Sequence, residues 1–89
     1  MEIESGTVED VVKRLRRVEG QLGGIVRMIE GGRDCEDVVT QVAAASKALD
    51  RAGFRIVASG MRQCIDQNGD GGMSEADKAH MERLFLSLA

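Results

Sequence analysis

The chain has 89 residues, enough for one domain (1–89), and a core of that size is marginal without a partner. No apolar run is long enough to span a membrane, and the acidic start (Glu2, Glu4, Glu9, Asp10) is unlike a signal peptide, so a cytoplasmic protein with no membrane partner is expected. The net charge of −3 hides alternation: residues 13–33 carry six basic side chains against two acidic ones, so an anionic partner is not excluded.

The elements are helical. There is no Pro, Trp or Tyr, and alanine, valine and leucine supply much of the apolar content. Val8, Val11, Val12, Leu15, Val18, Leu22, Ile25, Val26 and Ile29 step by threes and fours, the pattern of an amphipathic helix. Thr7 is placed to cap its start, with Asp10 as the third residue of a variant capping box, and Gly31-Gly32 ends it. Asp34 is placed to cap a second helix running to about Asp66, interrupted by no Pro and containing only Gly53 and Gly60. Its stripe runs Cys35, Val38, Val42, Ala45, Leu49, Ala52, Ile56, beside a second line of Val57, Met61, Cys64 and Ile65. Asn68-Gly69-Asp70-Gly71-Gly72 is a break, and Ser74 with Asp77 reads as the cap of a third helix ending at Leu88. The fold class expected is all-α: a three-helix protomer that completes a four-helix bundle with a second chain.

The two cysteines lie near opposite ends of the long second helix. The 29 steps between them span roughly 43 Å at 1.5 Å per residue, so the thiols of one chain cannot meet. An antiparallel pair of these helices sets Cys35 of one chain against Cys64 of the other, with the twofold axis near Leu49 and Asp50. Two cysteines in a reducing compartment suit reactive or ligating roles better than a structural disulfide, although small buried hydrophobes are an alternative.

The run Arg14-Leu15-Arg16-Arg17-Val18-Glu19-Gly20-Gln21-Leu22-Gly23-Gly24-Ile25-Val26-Arg27-Met28-Ile29-Glu30 resembles the first helix of the CsoR/RcnR/FrmR family of bacterial repressors. The stretch from Asp34-Cys35-Glu36-Asp37 through Leu49-Asp50-Arg51-Ala52 to Cys64 fits as well, so the likeness covers about residues 8–66. The resemblance implies an antiparallel homodimer that assembles into a homotetramer, an effector site shared between chains, operator DNA as partner, and no enzymatic activity. Copper sensors of this family place a His four residues before the second cysteine; here that position is Gly60, and the only histidine is His80. Two cysteines without that His resemble the persulfide-sensing, CstR-like branch, which implies small-molecule sulfane-sulfur donors as effectors and no resident cofactor. The alternative is Cu(I) on the same cysteines, with Glu82, His80 or an exogenous thiol completing the site. A sulfur carrier or thiol protein is a third reading, without a visible base or oxyanion arrangement.

Cys35 sits at a helix start, where the dipole favours thiolate; Arg33 supports this and Asp34, Glu36 and Asp37 oppose it. The sequence does not decide between these influences; Cys35 as attacking thiol and Cys64 as resolving thiol is the working hypothesis. Lys13, Arg14, Arg16 and Arg17 on the first helix and Lys47, Arg51 and Arg55 on the second form a candidate phosphate-binding band, or simply a solvated face. The resemblance points most directly to Arg14 and Arg51, with Gln21 as a polar contact. Asp66, Asn68, Asp70, Ser74 and Asp77 match much of a calcium-binding loop, but Asp77 replaces the usual bidentate Glu, and a polar Gly/Asn/Asp connection is expected between helices in any case.

Overall fold

The computed structural model describes residues 2–68 and 72–89, with Asn68 by its backbone alone. Its elements in chain order are α1 (Ser5–Glu30), α2 (Cys35–Asn68) and α3 (Glu75–Leu88), and the described residues contain no strand. The all-α expectation holds. No helix among the described residues is long and apolar enough to cross a membrane.

The start of α1 differs from the expected Thr7 cap. The helix begins at Ser5, and its N-cap, Glu4, makes no side-chain capping bond. Tertiary contacts do the anchoring instead. The Glu4 N–H donates to Ser59 Oγ at 3.1 Å, Arg62 Nε lies 3.4 Å from Glu4 Oε1, and Arg62 Nη2 donates to Thr7 Oγ1 at 3.3 Å. Thr7 is thus tied to α2, and Asp10 is drawn to two arginines rather than to a capping box.

The other ends follow the sequence signals. Gly32 has φ +75°, and the Gly32 N–H and Arg33 N–H donate to Ile29 O at 3.1 Å and Met28 O at 2.9 Å. This pair of bonds closes the last turn of α1 in the left-handed conformation that glycine adopts without steric cost. Asp34 Oδ2 accepts from the Glu36 N–H, and Ser74 Oγ accepts from the Asp77 N–H, each at 3.1 Å.

α1 and α2 form an antiparallel hairpin. α1 buries Val11, Val18 and Ile25, seven residues apart; α2 buries Ala45, Ala52 and Ser59 at the same spacing. Large residues on one helix and small ones on the other allow a close approach. α3 returns along the C-terminal half of α2. A Cβ on Gly53 would meet Leu88 Cδ1 at 2.9 Å, so the missing side chain makes room for α3. Phe54 and Phe85 stack with ring centroids 5.2 Å apart, and Met81 is buried.

The chain is a slab one helix thick, with extents of 56 × 24 × 13 Å. Its radius of gyration is 17.1 Å, against about 12 Å for a compact chain of this length. Its surface is 6418 Å², against about 5,100 Å² for a compact monomer of this mass. The excess has a place: Val8, Val12, Leu22, Val26 and Ile29 of α1 and Val39, Val42 and Leu49 of α2 are exposed. The broad apolar seam is divided, one side closing the hairpin and the other left open along the slab.

Candidate functional site

α2 is continuous across 34 residues and carries one thiol near each end. Cys35, its first residue, is exposed, whereas Cys64 is buried, and no disulfide joins them. The helix rise separates them by about 43 Å. Beside Cys35, Asp34 caps the helix, and Arg33, expected to support the thiolate, pairs with Asp37 at 3.4 Å. Residues 2–4 form a strap that shares two clefts with residues of α2 flanking Cys64 in sequence. Glu2 and Glu4 line a cleft with Gln63, Asp66 and Gln67, while Glu2 and Ile3 line another with Gly60, one turn before the thiol.

Gly60 is buried and adds no side-chain donor. Its cleft, of about 370 Å³, is apolar, with Ile56 and Val57 from α2 and Met81, Leu84 and Leu88 from α3. His80 and Glu82 are exposed on α3 and line none of that cleft. Among the described residues no three His, Cys, Asp or Glu side chains converge as a metal-binding group. Cu(I) does accept two thiolates, so the donor set fits that ion if a second chain brings its Cys35 to Cys64.

The basic residues are gathered where α1 and α2 run side by side. Arg14, Arg17, Gly20, Gln21, Ala48 and Arg51 line a cleft of about 510 Å³. A neighbouring one of about 390 Å³ is lined by Asp10, Lys13, Arg14 and Arg17. Gln21 Oε1 is buried without a hydrogen-bond partner among the described residues. Arg55 reaches the same region through Asp10, whose Oδ2 is 3.4 Å from Arg55 Nη1 and 3.1 Å from Arg14 Nε. Arg16 and Lys47 stand apart: Arg16 pairs with Glu19 at 3.0 Å, and Lys47 is exposed and lines neither cleft.

The calcium-loop residues are described only in part. Ser74 Oγ is engaged as the cap of α3, Asp77 lies in that helix's first turn, and Asp66 is exposed near the end of α2. Asp70 and the side chain of Asn68 lie outside the described residues.

Two contributors escaped the sequence reading. Ser59, fully buried, holds the strap; its only signal was the seven-residue spacing from Ala45 and Ala52. Asp10 bridges two helices, a role its position in α1 does not announce.

Comparison with known proteins adds the remaining evidence. Residues 7–85 match the family model described as metal-sensitive transcriptional repressor. The copper-sensing transcriptional repressor RicR of Mycobacterium tuberculosis is 37% identical over 78 residues, 80% of this chain and 81% of that one. The copper-sensing transcriptional repressor CsoR of Bacillus subtilis is 30% identical over 66 residues, 71% of this chain and 65% of that one. Among solved structures, the nickel-responsive transcriptional regulator InrS superposes with a TM-score of 0.79 at 31% identity, over 100% of this chain and 98% of that one.

Proposed function

The chain belongs to the metal-sensitive transcriptional repressor family, whose members are not enzymes, and from that premise we propose a repressor whose hold on operator DNA is switched by sulfane sulfur at Cys35 and the partner chain's Cys64. The open seam of Val26, Val42 and Leu49 supports an antiparallel dimer around Leu49 and Asp50. Phe85 and Leu86, exposed on α3, support a further pairing into a dimer of dimers.

The observation that carries the sulfur reading is position 60. One turn before the buried thiol there is a buried glycine facing an apolar cleft, with no nitrogen donor. The remaining chemistry is that of two thiols. The exposed Cys35 thiolate attacks the outer sulfur of a persulfide RSSH, forming Cys35–S–SH and releasing RS⁻. The partner's thiolate then attacks the inner sulfur, and HS⁻ leaves as the disulfide forms. Such a bridge ties the two ends of α2, which carries Arg51, and shifts it against Arg14 and Arg17 of α1. The phosphate-binding clefts lose their shape, and the DNA is released.

On the DNA side, Arg14, Arg17, Arg51 and Lys13 hold phosphates, Arg55 joins through Asp10, and Gln21 offers a polar contact. Arg16 and Lys47 are peripheral.

A second reading is favoured by the copper-sensing relatives: Cu(I) as the effector, held by Cys35 and Cys64 of neighbouring chains. Met81, a buried thioether in the wall of the Gly60 cleft, would supply a third soft donor if the ion reaches that cleft. Nickel, the effector named for InrS, finds only one imidazole here, on the exposed face of α3.

The test is DNA release by polysulfide from wild-type protein, Cys35→Ser and Cys64→Ser, on a duplex from the gene's own upstream region. The reading expects release from wild type alone. Release from both single variants would overturn it.

A further inference from the structure

We propose that Asp10 is an internal phosphate mimic that holds down the sequence-independent affinity of the basic face for nucleic acid, an inference resting on the DNA-binding reading above. One carboxylate oxygen, Oδ2, is 3.1 Å from Arg14 Nε of α1 and 3.4 Å from Arg55 Nη1 of α2. An i,i+4 pair with Arg14 alone would be ordinary helix support. The approach of Arg55 from the other helix is not explained that way. Two guanidinium groups converging on one anionic oxygen is the arrangement in which an arginine pair takes a phosphate.

The three side chains remain open to solvent, 42% exposed for Asp10, 32% for Arg14 and 52% for Arg55, so a DNA phosphate can reach the same groups. Among the described residues, Asp10 is also the only acidic one lining either cleft of the basic face. A phosphate arriving there must either sit beside a fixed negative charge or displace it. The penalty falls on every duplex, including random-sequence DNA, whose binding is almost wholly phosphate charge. Operator DNA keeps its groove contacts and shape complementarity, which the carboxylate does not oppose. Asp10 thereby holds down the phosphate-charge affinity that every duplex shares, and with it the binding that has no other source.

The test is Asp10→Asn, which keeps the shape and removes the charge, with Asp10→Ser as a second neutral variant. Binding of the intact, reduced protein to a random-sequence duplex and to the upstream-region duplex is followed by fluorescence anisotropy across a salt series. Each arginine freed to neutralise a phosphate steepens the slope of log K against log salt by about 0.9, which at 0.1 M salt is about an eightfold gain per contact. Both variants are expected to bind random DNA tighter with the steeper slope, and the upstream duplex by a comparable factor. Unchanged or weaker random-duplex binding, in variants whose melting matches wild type, overturns the inference alone. Wild-type protein that binds neither duplex overturns the repressor reading and this inference with it.

Discussion

The thiol geometry makes a prediction that can be worked from the helix itself. Cys35 and Cys64 stand on one unbroken helix, about 43 Å apart by the rise per residue. A disulfide tolerates a Cα separation of at most about 7 Å. Every bridge formed by the folded protein must therefore join two chains, and the antiparallel arrangement requires that it join unlike cysteines. Mixing Cys35→Ser and Cys64→Ser chains, allowing exchange, and treating with polysulfide puts this to a test on non-reducing gels with intact mass. Each variant alone should stay monomeric on the gel, because its like thiols lie at opposite ends of the dimer. The mixture should give a covalent heterodimer with one bridge. Wild-type protein should give a dimer with two. An internal disulfide in a monomeric wild-type chain, or a covalent dimer from Cys64→Ser chains alone, would refute the reasoning.

Arg14 lines both basic clefts, so Arg14→Ala should weaken DNA binding and flatten the log K against log salt slope by about 0.9 per engaged chain, while Arg16→Ala, paired outward with Glu19, should leave the slope unchanged. A slope indifferent to Arg14→Ala would mean that DNA lies on another face. Ser59→Ala removes the acceptor for the Glu4 N–H; losing about 1 kcal/mol of hydrogen bonding should open the strap about fivefold more often. Alkylation of Cys64, measured by mass in a Cys35→Ser background, should accelerate by a similar factor; an unchanged rate would show that the strap does not guard the thiol. Leu49→Lys puts a charge in the exposed seam beside the proposed twofold axis and should yield helical monomers in light scattering, whereas a persistent dimer would remove that seam from the interface.

Much of the fold was legible because its signals are local. The 3.6-residue period, Gly31-Gly32, the Asp34 and Ser74 caps and the uninterrupted run between the cysteines each act within a turn or two, and each is found in place. The start of α1 was misread because Glu4 and Thr7 are held from α2, 55 and 58 residues away in sequence, where a capping rule has no reach. Periodicity gave the direction of the apolar seam but not its division. Val11 and Val12 are adjacent in the sequence, yet one is buried in the hairpin and the other exposed, a distinction set by the tilt of α1 on α2. Gly60 was recognised by what it lacks, while its place in a cleft with Met81 depends on the return of α3. Of the basic residues, charge alone grouped Arg16 with Arg14 and Arg17; the structure turns it toward Glu19.

Polysulfide and Cu(I) would act on the thiol pair in chemically different ways, one covalent and one not. Protein bound to its upstream duplex is given one equivalent per thiol pair of inorganic polysulfide or of Cu(I), under anaerobic conditions, and the released fraction is compared with intact mass on the same sample. Polysulfide should release the DNA in proportion to covalent dimer formed through Cys35 and the partner chain's Cys64, and Cu(I) should leave most of the complex bound. Release by Cu(I) with both thiols covalently unmodified, and none by polysulfide, would contradict the sulfur switch and make this chain a copper-responsive repressor that works without a histidine at position 60.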